Sequence, residues 1–330
     1  MRTHGLAPLA LAIVLLAPIS LDAQEPGIKL AIGNFGLGIG DVPRLDGIRL
    51  NFRDGHLRRV RGLNATIWTP YENPDGVVEG IALGVPLTGA REIRGVALGL
   101  GIAAEESFTG LGLAPIGMGA GEDVRGVAIG GVGIGSGRDV DGIMLGGVGM
   151  GAGRDVRGIA VGGVGAGVGR NFEGVALGGV GFGVGENFTG LGAAGVGLGV
   201  GGDLTGITMA AVGMGVGRDL KGIMIAGVGA GVGGELKGLA IAGVGVGASS
   251  INGVVLSGVG AGAEDVRGLV VAPAYFRITE MGTLRGVSVS AFNDLQEGVQ
   301  RGLHGLQIGL INIARNKESF SVLPLVNYHR

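Results

Sequence analysis

The sequence predicts an all-β fold assembled from units of about sixteen residues: a capped β-solenoid, with a closed antiparallel outer-membrane-type β-barrel as the alternative. Three observations lead there. Between Asp123 and Ala248 one sixteen-residue phrase recurs eight times, as in Asp155-Val156-Arg157-Gly158-Ile159-Ala160-Val161-Gly162-Gly163-Val164-Gly165-Ala166-Gly167-Val168-Gly169-Arg170. Within the phrase, glycine alternates with apolar residues, and a period of two with β-branched side chains marks a strand. Glycine supplies 77 of the 330 residues, against an average usage of roughly 7%, and such a density disfavours helix by about 1 kcal/mol per glycine. A unit of this kind has too little apolar surface to offset the ordering of its own backbone. It is stable only when neighbours stack on it and lend it inter-strand hydrogen bonds.

The first 23 residues read as a secretory signal, with Arg2 and His4 ahead of an apolar run from Leu6 to Ile19 and a small residue, Ala23, before Gln24. Residues 24–78 form an N-terminal cap of degenerate repeats. There Asp46-Gly47-Ile48-Arg49-Leu50 and Arg61-Gly62-Leu63-Asn64 lie fifteen apart, beside the only tryptophan, Trp68, and the charges Arg53, Arg58 and Arg59. Residues 79–285 are the Gly-rich array, with an anchor glycine at Gly80, Gly95, Gly110 and Gly126 and onward to Gly253 and Gly268. No proline falls between Pro115 and Pro273, so every residue there keeps the N–H that a continuous ladder needs. Residues 286–330 close the chain with a last repeat, a polar turn at Asn316-Lys317-Glu318 and a second cap.

Aligning the units internally gives columns. One is acidic or Asn throughout (Asp123, Asp139, Asp155, Asn171, Asn187, Asp203, Asp219, Glu235) and one is valine throughout (Val132, Val148, Val164, Val180, Val196, Val212, Val228, Val244). With Gly162-Gly163 as a corner, the inward set of one unit is Val156, Ile159, Val161, Val164, Ala166 and Val168. Stacked Arg138, Arg154 and Arg170 oppose a solenoid, although adjacent acidic and basic columns offset this diagonally. The barrel gains from the column Ile134, Met150, Ala166, Phe182, Leu198, Met214, Ala230 and Val246, whose size varies as lipid-facing positions do. It loses because neither strand face is polar, whereas porin lumens are.

Composition narrows the function. Hydrophobic residues at 46% argue against disorder, and a net charge of −2 without a basic stripe excludes nucleic acid as a partner. The absence of cysteine removes disulfides, thiolate nucleophiles and cysteine-ligated metal. The recurring GxG is a packing pattern, since no helix follows it to hold a phosphate. Gly151-Ala152-Gly153-Arg154-Asp155 looks like a calcium-binding roll, but Arg157 stands where that motif needs an apolar residue, so the segment reads as a solvated turn satisfying its own backbone. His56, His304 and His329 sit at unrelated positions and read as surface histidines. Asn64-Ala65-Thr66 and Asn187-Phe188-Thr189 match the glycosylation pattern and read as turns. No catalytic, cofactor-binding or metal-ligating residue is assigned.

The phrases Gly305-Leu306-Gln307-Ile308-Gly309-Leu310-Ile311-Asn312 and Arg157-Gly158-Ile159-Ala160-Val161-Gly162, with the closing Leu323-Pro324-Leu325-Val326-Asn327, resemble the bacterial surface-repeat-containing proteins built on GLQIGLVN-type units. The resemblance spans most of residues 46–330. It implies an exported bacterial protein of unassigned biochemical role, with no catalytic residues to carry over. Small residues here replace Gln, Leu and Asn of that family. The expectation is an exported, non-enzymatic structural or adhesive protein of the cell surface, outer membrane or periplasm, with an integral outer-membrane barrel as the alternative and self-association as a candidate property. A third reading places an enzyme site in the caps, around Trp68 or His304.

Overall fold

The computed structural model describes residues 27–68, 75–279, 282–295 and 302–329; residues 1–23, expected to be a signal, lie outside them. All regular secondary structure among the described residues is β-strand. The chain divides into two compact units, one up to Met150 and one from Gly151, and each is a β-solenoid of stacked coils.

In the second unit one coil consists of a long strand, Val156–Gly162, a corner at Gly163-Val164, a short strand, Gly165–Val168, and a turn through Gly169. The next coil repeats this as Phe172–Gly178 and Gly181–Val184. Pairing is parallel and in register, Val156 with Phe172, Gly158 with Gly174, and Gly165 with Gly181, so each residue lies beside its equivalent sixteen positions on. The corners join the same ladder, with Val180 N donating to Val164 O at 2.6 Å. The step shortens to fifteen where Glu235 pairs with Ser250. The first unit follows the same plan: Arg44–Asn51 pairs parallel with Arg59–Thr66, and that strand with Val77–Ala114, whose glycines Gly80, Gly95 and Gly110 stack on one another.

These pairings overturn the barrel. A closed antiparallel barrel pairs consecutive strands head to tail, yet here each strand pairs parallel with its equivalent one coil away. Antiparallel pairing among the described residues is confined to two hairpins, Gly27–Ile32 with Phe35–Gly40 and Gly305–Ala314 with Val322–His329. Each adds one antiparallel strand to the terminal parallel ladder of its unit.

The inward set needs correction. Val156, Ala160, Ala166 and Val168 are buried, whereas Ile159 is 38% and Val164 51% exposed, and Val161 is half-buried. Alternation from Val156 puts Gly158, Ala160 and Gly162 inward, and leaves Ile159 and Val161 on the outer face with Arg157. At the third inward position the interior takes Ala160 and Ala176, while larger buried side chains such as Val156 and Phe172 enter from the start of the strand.

The column of varying size is also corrected. Phe182, Leu198 and Met214 are buried, not lipid-facing. Their volumes vary because other layers of the coil compensate. Phe182 packs edge-on between Phe172 and Phe188, at 5.4 and 6.0 Å between centroids. Beside Phe188 and Leu198 stands Gly192, where a Cβ would meet Phe188 Cζ at 3.0 Å and Leu198 Cδ1 at 3.1 Å. This is complementary filling at native density.

Candidate functional site

The turn column that includes Asp155 and Asn171 is a ladder running along the stack. Each side-chain oxygen accepts the backbone N–H of the equivalent residue in the following coil: Asp155 Oδ1 from Asn171 N at 3.2 Å, Asn187 Oδ1 from Asp203 N at 3.0 Å, Asp219 Oδ1 from Glu235 N at 2.8 Å. The amides add a second rail, Asn171 Nδ2 to Asp155 Oδ1 and Asn187 Nδ2 to Asn171 Oδ1, both 2.9 Å. The turn therefore satisfies the backbone of the next coil rather than its own. Arg170 Nη2 reaches back to Asp155 Oδ2 at 2.7 Å, the diagonal offset expected of stacked charges. Burial raises the Asp155 carboxyl, but the hydrogen bonds from Asn171 and the nearby Arg170 charge outweigh it and hold it below the ordinary carboxylate range. These oxygens take part in the hydrogen bonding from coil to coil.

The end coils bury polar side chains where a mid-array coil carries alanine: Arg49, Asn64 and Gln307 at the position of Ala160, and Asn293 and Asn312 at that of Ala166. In the first unit Arg49, fully buried, donates to Val42 O at 2.8 Å, to Asn64 Oδ1 at 2.7 Å, to Asp41 Oδ1 at 2.6 Å and to Asp54. Thr66 Oγ1 and Asn64 Nδ2 donate to Asp54 Oδ2 at 2.7 and 3.1 Å. Asn64 and Thr66 thus sit buried on a strand, not in a turn; Asn187 does lie in a turn. In the second unit Asn293, Gln307 and Asn312 are buried, and Asn293 Nδ2 donates to Asn312 Oδ1 at 2.7 Å.

Several concavities lie in the second unit, and two of them contrast most in lining. One is a polar cleft of about 350 Å³ lined by Glu235, Asn252, Asp265, Arg267, Arg285 and His304, among others. Its carboxylates serve the stack, Asp265 accepting Thr283 N at 3.0 Å and Glu235 accepting Asn252 Nδ2 at 3.3 Å. Trp68 does not line it; that residue stacks on Phe52 in the first unit, 6.4 Å between centroids. The other is a shallow apolar groove of about 640 Å³ running along the coils, lined by Val161, Leu177, Met209 and Ile225 together with Gly163, Gly179 and Ala211.

No protein-family model, no curated protein and no solved structure matches the chain.

The histidines are brought partly together. His56 is exposed, with Nδ1 2.8 Å from Asp41 Oδ2. His304 and His329, distant in sequence, face each other at 6.2 Å because the last hairpin pairs Gly305 with His329. Among the described residues no group of three or more His, Cys, Asp or Glu is placed to hold a metal. The buried Arg49 network was hidden from sequence reasoning, although an arginine at a core column of the alignment was its signal.

Proposed function

We propose that the chain is an exported structural or adhesive repeat protein of a bacterial surface, working without catalysis. The observation that carries this reading is the commitment of the recurrent polar groups to the stack. A catalytic site needs a nucleophile or base oriented toward substrate, whereas the Asp and Asn column spends its acceptors on neighbouring coils. What the coils present outward is a set of parallel columns repeated at strand spacing, the kind of extended surface that repeat proteins use for binding or assembly. The apolar run after Arg2 and the phrases resembling surface-repeat proteins support export.

Cell fractionation with antibody detection tests the location. Export predicts the chain in periplasm, outer membrane or medium, shortened by the leader; full-length chain in the cytoplasm contradicts it. The non-catalytic part fails if a hydrolytic or transfer activity of the pure protein is abolished by one substitution in the polar cleft, such as His304→Ala.

A further inference from the structure

The second unit carries apolar side chains on its outside as well as in its core. Beyond a core that holds Phe172, Phe188, Leu204 and Met224, aliphatics stand outside in three adjacent columns: Ile159, Leu191 and Ile207; Val161, Leu177, Met209 and Ile225; and the corner valines. The corner column is uniform. Val164, Val180, Val196, Val212, Val228, Val244 and Val259 are each between 46 and 51% exposed. Burial does not require valine there, and an exposed corner flanked by glycines ordinarily carries a polar residue. The column forms a ridge, and the apolar groove lies directly beside it.

We infer that this face docks a second copy of the chain, the valine ridge of each copy seated in the groove of the other. Ridge and groove lie side by side on one surface, so a two-fold axis parallel to the stack sets each ridge opposite a groove, a self-complementary contact. Both repeat at the strand spacing of ~4.8 Å, a pitch that a second array matches coil for coil and a fluid lipid surface does not. The column of Arg157, Glu173, Lys221 and Lys237 shares the outer face and borders the Ile159 column, so its charges rim the apolar patch rather than interrupt it. From Val164 to Val259 three columns cover ~700 Å², close to the ~800 Å² per partner of a standard specific interface and more than monomers commonly leave as one exposed patch.

This deepens the structural reading above, but sedimentation of the purified chain is blind to its cellular compartment, so the two fail separately. Sedimentation equilibrium of the wild-type protein is expected to show a dimer. Val180→Asp, Val212→Asp and Val244→Asp combined weaken it by roughly 100-fold or more, with unchanged far-UV circular dichroism. Should the aspartates unfold the chain, the isosteric threonine triple at the same positions decides, with an expected loss of roughly 10-fold. Gly183→Ser with Gly215→Ser, on the bare outer face of the short strands, leaves the dimer intact. A monomeric wild type overturns the inference, including one that floats with phosphatidylcholine vesicles and stops doing so when the valines are replaced. A dimer indifferent to the valine substitutions, or broken by the glycine ones, overturns it equally.

Discussion

At Gly206 a φ of +135° and the carbonyl oxygen of Gly190 leave no room for a Cβ, whereas a Cβ added at Gly215 meets nothing within 4 Å. The two glycines sit in one repeat yet do different work. Gly206→Ala is expected to cost about 2 kcal/mol or more in urea titration, through backbone strain and a forced separation of coils. Gly215→Ala is expected to change stability by less than about 0.5 kcal/mol or to raise it by up to about 1 kcal/mol, since it stiffens only the unfolded chain. Equal losses at both positions would refute the distinction. Phe188, fully buried against Phe172 and Phe182, carries a different load. Phe188→Ala should cost about 3–5 kcal/mol in the same assay, because a neighbour stacked at 5.3 Å cannot collapse into the space.

The end coil around Arg49 is one element that ties stability to pH, and the most buried of them. Burial raises the Asp54 carboxyl, but the Arg49 charge and the hydrogen bonds from Thr66, Asn51 and Arg49 outweigh it, so its pKa lies below the ordinary value. A depressed carboxyl stabilises the fold above its unfolded pKa of about 3.9 and loses that contribution as pH falls through the folded value. Thermal unfolding followed from pH 7 to pH 3 should show the melting temperature dropping in the acid range, and less steeply in Asp54→Asn; identical slopes would remove Asp54 from the explanation. The coil as an element makes its own prediction. Deleting residues 204–219 brings Leu220 to the position of Leu204 and keeps every ladder in register. That chain should fold with a cooperative melt. Deleting residues 204–211 sets short-strand residues against long strands and should abolish the melt.

For the molecule as a whole, the period, the parallel stacking and the atypical ends were legible in the sequence, because columns at a fixed spacing leave few other ways to satisfy a glycine-rich backbone. Which face points inward was misjudged. Side-chain size suggested that Ile159 and Val161 were core, yet Arg157 lies two residues before Ile159 and fixes the outer face by alternation alone. The column containing Phe182 was misassigned for a related reason: the room that Gly192 leaves for Phe188 and Leu198 is visible only once the coil is closed. The polar interior around Arg49 was illegible, since its partners Asp41, Asp54 and Asn64 come from loop and strand segments that only the fold brings together. Spin labels test the stacking itself. With one label at Arg157 and the other at Thr205, Lys221 or Lys237 in turn, all in one column, dipolar spectroscopy should give distances growing by ~4.8 Å per sixteen residues, the spacing of adjacent strands. Distances that fail to grow with each added repeat, or that grow by several times that step, would contradict parallel coils laid one on the next.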